Sequence, residues 1–210
     1  MSRIVQLKTK DDSIREAERL LAGIPGGIEK AAMRSINDAL SAGKTAVSVG
    51  IREKYTVNAS VMKETIKVKQ ASQTRLEGEI ESKGSPLSTR HFRHSPSGES
   101  TTGNNRKAIR VSVKKGASVK FKTGFLWNGG YETDKHAIFV RAGEKRRATK
   151  GYHAGKKYKV ESLKKSTSPS VPQMAGESGV SERVQNRVEE VLESRMRHHT
   201  SRLLEKGAKK

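Results

Sequence analysis

Residues 26–55 read GGIEKAAMRSINDALSAGKTAVSVGIREKY. Small or apolar side chains recur there at helical spacing: Ile28, Ala32, Ile36, Ala39, Leu40, Gly43, Val47 and Ile51. An i, i+4, i+8 repeat sustained over such a stretch is the pattern of a helix with one buried face. Glu29, Lys30, Arg34, Asp38, Lys44, Arg52 and Glu53 fall on the opposite face. A helix of about 28 residues spans about 40 Å at 1.5 Å per residue. No single short sheet covers a stripe that long, so a sheet and at least one further helix are expected against it. Gly43 and Gly50 lie on or beside the apolar face, where each costs a helix interior about 1 kcal/mol relative to alanine. They read first as tolerated glycines, with close approach of another backbone as the alternative.

Before this helix, Ser2 to Lys10 alternates weakly and reads as a short strand or an arm. Asp11 or Asp12 can cap a following helix by accepting its free first-turn N–H groups. Ile14, Ala17, Leu20 and Leu21 give that helix its apolar face, and Gly23, Pro25, Gly26 and Gly27 break it. After the long helix, Tyr55 to Asn58 is a second break. Asn58 suits an N-cap for a short helix with Val61, Met62 and Ile66 inward.

From Lys67 the period changes to two. Val68, then Leu76, Gly78, Ile80 and Ser82, alternate with charged residues and read as a hairpin. Pro86-Leu87-Ser88 begins another extended segment, through Phe92. Residues 94–106 hold Ser, Thr, Gly and Asn with almost nothing apolar, which predicts a long exposed loop. Ile109, Val111 and Val113 alternate with Arg110, Ser112 and Lys114, and Val119 and Phe121 repeat the alternation beyond a turn at Gly116. Phe125-Leu126-Trp127 is an aromatic cluster. His136 to Arg141 predicts a strand with Ile138 and Val140 opposite Phe139. Residues 142–155 are basic and Gly-rich, and Tyr158, Val160 and Leu163 predict a last strand.

Ser166 to Met174 carries Pro169 and Pro172, and residues before proline avoid the helical region, so an extended connector is expected. From about Ser178 a second long helix follows, with Val180, Val184, Val188, Val191, Leu192, Met196, His199 and Leu203 on one face. Lys206 to Lys210 reads as a basic tail. The expected fold is therefore α+β: a long N-terminal amphipathic helix packed on an antiparallel β-sheet, with a C-terminal helix after a proline-rich connector. The expected division is an arm and short helix over 1–25, a core domain over 26–174, and the C-terminal helix and tail over 175–210.

Hydrophobic residues make up 32% of the 210 and aromatics 4%, so the core is modest. There is no cysteine, which excludes disulfides and thiolate chemistry. No apolar run approaches the roughly 20 residues that span a bilayer. The start, MSRIVQLKTKDDS, lacks the apolar core and cleavage site of a secretory signal, so synthesis and assembly in the cytoplasm are expected.

The net charge is +21, and it is concentrated. Between Arg90 and Lys165 lie 20 Lys and Arg against five acids, fifteen of the net positive charges. The candidate partner-binding residues are Arg110, Lys114, Lys115, Arg141, Lys145, Arg146, Arg147, Lys150, Lys156 and Lys157. Such residues attract phosphates in a salt-dependent, sequence-independent way. Three readings stand: proximity to DNA, docking on an acidic protein, or a solvated surface. Aromatics are too sparse for a base-stacking platform.

No catalytic constellation is evident: there is no phosphate loop, no Gly-x-Ser-x-Gly turn and no His-Glu-x-x-His. The expectation is a protein that is not an enzyme and carries no cofactor or metal. His91 and His94 are three apart without a nearby acid. His198 and His199 lie late in a helix, where a cation suits the helix dipole. Glu77, Glu79 and Glu81 alternate along one strand, as a nuclease's metal-holding acids could, but read as a solvated strand face.

Pro169-Ser170-Val171-Pro172-Gln173-Met174, entered from a strand and followed by an amphipathic helix, resembles a motif of the phage minor tail protein Z family. These are the tail completion proteins of long-tailed phages. Ala32 to Thr45 resembles the family's N-terminal helix pattern A-x-x-A-I-N-x-A, and Pro86-Leu87-Ser88 its P-L-S strand start. Val111-Ser112-Val113-Lys114-Lys115-Gly116 and Phe139-Val140-Arg141-Ala142-Gly143 resemble its V-x-V-K-K-G and F-x-R-x-G core. The resemblance covers roughly residues 28–204, with Pro169, Val171, Pro172 and Met174 as structural motif residues. It departs at Thr167, where many members have an aromatic, at Ser168 in place of glycine, and at residues 95–105, which look inserted. It implies a structural virion protein that completes the head-proximal end of a tail and supports head–tail joining. The implied partners are further copies of itself in a sixfold ring around the DNA path, the tail terminator, the head–tail connector and the tape measure protein, in the neck of the virion. The alternative from charge alone is a sequence-independent nucleic-acid-binding protein, of the ribosome- or chromatin-associated type.

Overall fold

The computed structural model describes residues 2–7, 11–96, 108–127, 137–149 and 154–207. The architecture is α+β, and the chain divides into two compact units. One comprises residues 1–53, 59–85 and 170–210; the other comprises residues 54–58 and 86–169. This division runs through the expected 26–174 core instead of following its edges. The chain leaves the first unit and returns to it, so its N- and C-terminal helices share one core.

The first unit holds strand β1 (Ser2–Leu7), helix α1 (Asp11–Leu21), helix α2 (Gly27–Lys54), helix α3 (Ala59–Thr65) and strands β2 (Ile66–Lys69) and β3 (Gly78–Ser82). It is completed by α4 (Val171–Ala175) and α5 (Ser178–Gly207). The three strands form an antiparallel sheet in the order β1-β3-β2. The α2 stripe is where its spacing put it: Ala32, Ile36, Ala39, Leu40, Val47 and Ile51 are all buried. A sheet and a further helix do pack on it, since a side chain placed at Gly43 would meet Ile80 of β3 and Val188 of α5. On α5, Val180, Val184, Val188, Leu192 and Met196 face inward as expected. Ala17 and Leu21 of α1 join Ala31, Ala32 and Met196 in one apolar cluster. Leu20, expected on the same face of α1, is instead half exposed.

Two local expectations change. Gly43 is not merely tolerated, because an added Cβ would stand 2.5 Å from Val188 Cγ2 and 2.7 Å from Ile80 Cδ1. Close approach is the reason for the glycine, though the neighbours are side chains, not backbone. Asn37, on the same helix, forms a reciprocal pair with the backbone of Ala71. Its Nδ2 donates to the Ala71 carbonyl at 3.1 Å, and its Oδ1 accepts from the Ala71 N–H at 2.8 Å. The β2–β3 connection is thereby tied to α2.

The second change lies at the prolines. The connector is extended only through Ser170, because α4 begins at Val171. Proline is accommodated in a helix's first turn, where its missing N–H has no intrahelical partner to lose. Ser170 is the N-cap: its hydroxyl accepts from the Gln173 N–H, while the Gln173 side chain accepts from the Ser170 N–H at 2.9 Å. This reciprocal capping box satisfies two orphan donors. Ser170→Ala should lower stability by about 1 kcal/mol. A urea melt followed by circular dichroism checks it, and Ser170→Asp, which keeps an acceptor, should retain most of the stability.

The second unit is made of short antiparallel strands. β4 (Leu87–Ser88) leads through a 3₁₀ turn at Thr89–His91 to the buried Phe92 and then β5 (Arg93–Ser95). Of the expected 94–106 loop, His94 and Ser95 are therefore strand, and 97–106 lie outside the described residues. β6 (Ile109–Ser112) and β7 (Val119–Phe121) pair across a turn at Gly116, whose φ of 80° is the left-handed region that favours glycine. Ile109 and Val111 are buried, whereas Val119 is exposed because β7 is an edge strand. β8 (Gly124–Trp127), β9 (Ala137–Arg146) and β10 (Val160–Lys165) form the order β10-β9-β8. β11 (Thr167–Ser168) pairs with β4.

Candidate functional site

The strand predicted to end at Arg141 runs five residues further, to Arg146. Within the basic, Gly-rich stretch that starts at Ala142, Lys145 and Arg146 pair with β10, while the ladder is irregular between Arg141 and Lys145, where Gly143 has a φ of 78°. β8 pairs only with Ala137–Val140, whereas β10 continues opposite Lys145 and Arg146. From Arg141 outward, β9 has no described strand partner besides β10. The result is a two-stranded arm whose base is a three-stranded sheet.

The base is anchored by aromatics. Phe125 of β8 and Phe139 of β9 lie opposite each other with ring centroids 6.3 Å apart. The Arg141 guanidinium stands 5.5 Å from the Phe125 ring centroid and donates from Nη1 to Glu161 Oε2 at 3.1 Å. Cation–π contact and ion pairing fix this side chain in place. Arg141 therefore braces the arm.

Beyond it the cations are open to solvent. Lys145 and Arg146 on β9, Arg147 just after it, and Lys156, Lys157 and Lys159 before β10 are exposed. Lys145 faces Glu161 across the ladder and Arg146 faces Val160. Successive strand residues point to opposite faces, so Lys145 and Arg146 place charge on both sides of the ribbon. Lys150 lies outside the described residues.

Of the other three sequence-predicted cations, Arg110 lies on a strand of a different sheet, and Lys114 and Lys115 follow that strand. Arg110 is exposed on β6, Lys114 lies 5.5 Å from the Tyr55 ring centroid, and the Lys115 N–H donates to the Lys54 carbonyl at 2.9 Å. The structure thus separates one predicted basic surface into the arm and the β5-β6-β7 sheet. That sheet adds a residue the sequence reading passed over: Lys120 lies directly opposite Arg110. Like charges opposed across a ladder are destabilising unless an anion sits between them. The signal was present in the alternation about Gly116, since a turn there brings the two into register.

The motif residues occupy structural positions. Val171 and Met174 are fully buried, Pro172 is half-buried in the first turn of α4, and Pro169 is exposed. His94 Nδ1 lies 2.8 Å from the Phe92 carbonyl. Among the described residues, no three His, Asp or Glu side chains form a metal-holding group. His199 lies inward on α5, on the face where its spacing put it. It is buried, with Nε2 3.0 Å from Asp38 Oδ2, so it joins α5 to α2.

The acidic trio also differs from expectation, because Glu79 is buried and not solvated. Lys69 Nζ donates to Glu79 at 2.6 Å and to Glu81 at 2.8 Å, so the neighbouring strand answers both carboxylates. Hydrogen bonding to Glu79 first, and to Glu81 next, raises the Lys69 pKa above its ordinary 10.5. The bridge therefore stabilises the fold fully below that pH and loses its effect as pH rises through the raised value. Lys69→Met should lower the melting temperature at pH 7, and the gap from the unaltered protein should narrow as pH rises beyond 10.5. Melts of both proteins from pH 7 to 12 read this directly.

Comparison of the chain with protein-family models, curated proteins and solved structures returned no match. No described helix is long and apolar enough to cross a membrane.

Proposed function

We propose that this chain is a structural virion protein that completes the head-proximal end of a phage tail and supports head–tail joining, as the minor tail protein Z family it resembles does. One observation carries the reading: one motif stretch pairs in space with the residues that lead into another far away in sequence, although those two residues depart from the family pattern. Leu87 and Ser88, of the Pro86-Leu87-Ser88 stretch, pair with Ser168 and Thr167, which lead directly into the Pro169–Met174 motif. The Ser168 hydroxyl donates to the Leu87 carbonyl across 81 residues of chain. A third motif piece supplies Asn37, whose side chain ties α2 to the Ala71 backbone. Pieces that serve as joints of a scaffold fit an assembly role.

In this reading the chain is not an enzyme and works without a cofactor or metal. It assembles in the host cytoplasm, forms a ring of its own copies, sixfold like the tail, and meets the tail terminator, connector and tape measure in the neck. The test is tail assembly with and without this chain, viewed by electron microscopy, alongside light scattering of the purified protein on a sizing column. Unfinished tails that do not join heads, and a ring-sized mass, are expected. Normal joining without the chain, or a particle reconstruction placing it outside the neck, overturns the proposal.

A further inference from the structure

We infer that the β9–β10 arm is a clamp for duplex nucleic acid that enters a groove and grips the phosphate backbone on both sides. The inference rests on the proposed function only in that a tail neck supplies such a duplex, and binding in solution is measurable without it. The first ground is shape. The two-stranded portion runs from the Arg141–Leu163 pair to the Arg146–Val160 pair, with β9 bulged between them, and is about 10 Å long at about 3.4 Å per residue of β10. A two-stranded ribbon is one of the elements that the major groove, about 12 Å wide, admits.

The second ground is where the charge sits. A ribbon laid on a flat acidic protein uses one face, and the other gains nothing from being basic. Here Lys145 lies on the Arg141 face, while Arg146 lies on the opposite face with Lys164, which pairs opposite Val140. Both faces therefore present cations, as a groove with phosphates along both walls requires. Residues 141–165 carry ten Lys and Arg against two Glu.

The third ground is what the arm lacks. Protein–protein interfaces centre on an apolar, charge-depleted core. The large exposed apolar side chains of the described arm are Tyr158 and Leu163. Residues 141–165 also contain no Asn or Gln, the side chains that pair with adenine edges. Backbone gripping without sequence preference follows. Arg141, held by Phe125 and Glu161, positions the arm, and Lys145, Arg146, Arg147 and Lys157 supply the contacts.

The experiment uses the full chain and a labelled 30-base-pair duplex of mixed sequence, about long enough to span three helical turns. Fluorescence anisotropy gives affinities between about 50 and 200 mM salt, the range over which phosphate contacts weaken most visibly. One variant combines Lys145→Ala, Arg146→Ala, Arg147→Ala and Lys157→Ala. A control removes equal charge from exposed positions elsewhere: Arg52→Ala, Lys63→Ala, Lys67→Ala and Arg202→Ala. The arm variant should bind more than about tenfold more weakly, with the log–log salt slope shallower by about 3 to 4, at roughly 0.9 per lost phosphate contact. The control should lose less than about threefold.

Lys145→Gln with Arg146→Gln gives the same reading, at about half the slope change, should the four-site variant fail to fold. Equal losses in arm variant and control, or no duplex binding at about 50 mM salt, overturn the inference. So does polyglutamate competing as well as duplex at equal charge, which would make the arm a dock for acidic protein. A ring on the sizing column with no duplex binding would sink this inference and leave the proposed function standing. Duplex binding without a ring or a tail defect would do the reverse.

Discussion

Gly43→Val should be among the most damaging single changes in the helical unit. An added Cβ at Gly43 would lie 2.5 Å from Val188 Cγ2 and 2.7 Å from Ile80 Cδ1. Ile80 Cδ1 is the tip of a flexible chain and can swing away. Val188 cannot do so cheaply, because a β-branched side chain on a helix has one strongly preferred rotamer. Alanine alone would regain about 1 kcal/mol of helix propensity, offsetting part of the clash. Valine brings two further methyls into a filled space and should cost about 3 kcal/mol. At about 2–4 °C per kcal/mol for a chain of this size, the melting temperature should fall by about 6–12 °C. The helical circular dichroism signal reports it, since the described α-helices all belong to this unit. Val188→Ala in the same chain should recover at least about 1 kcal/mol, because contacting residues couple. An unchanged melt for Gly43→Val, or strict additivity with Val188→Ala, contradicts the close approach.

Ile80→Ala should be comparably severe for the opposite reason. Ile80 is fully buried on β3, the middle strand of β1-β3-β2, and reaches α2 at Gly43. Truncation removes the link between sheet and helix and leaves a void that a close-packed core fills only in part. About 2–5 kcal/mol is expected, against about 1 kcal/mol for Ile80→Val. The geometry adds a sharper check. Ile80→Val removes Cδ1, one of the two atoms that crowd position 43, so it should make Gly43→Ala less harmful than it is alone. Denaturant melts of the two single variants and the double variant form the cycle. Independent effects would show that Ile80 and Gly43 are not neighbours in solution.

Much of this unit was legible in the sequence because helix packing leaves a periodic trace. Ile36, Leu40, Val47 and Ile51 are buried at the spacing their order implied, and so are Val180, Val184 and Val188. The short strands were less legible. Val119 and Leu163 lie in strands that the sequence predicted and are exposed, since a strand's pattern tells which residues share a face but not whether anything covers that face. Pro172 read as part of an extended connector, yet capping by Ser170 and Gln173 turns the same residues into a helix start. At the candidate site the cations were visible, but their grouping was not. Arg141 and Lys157 are close in sequence, yet one is locked on Phe125 and Glu161 and the other is exposed. Arg110 belongs to another sheet altogether.

By itself, the sequence determined the α+β class, the two long helices with their inward faces, and a strong positive charge in the middle of the chain. These depend on local periodicity and composition, which survive without knowledge of neighbours. Only the tertiary structure decided that β9 continues to Arg146 as a two-stranded arm, that Gly43 makes room for Val188 and Ile80, and that Glu79 is buried beneath Lys69. Each of those depends on which distant segment lies alongside, and pairing between segments tens of residues apart is set by packing and register, not by the residues of either segment alone.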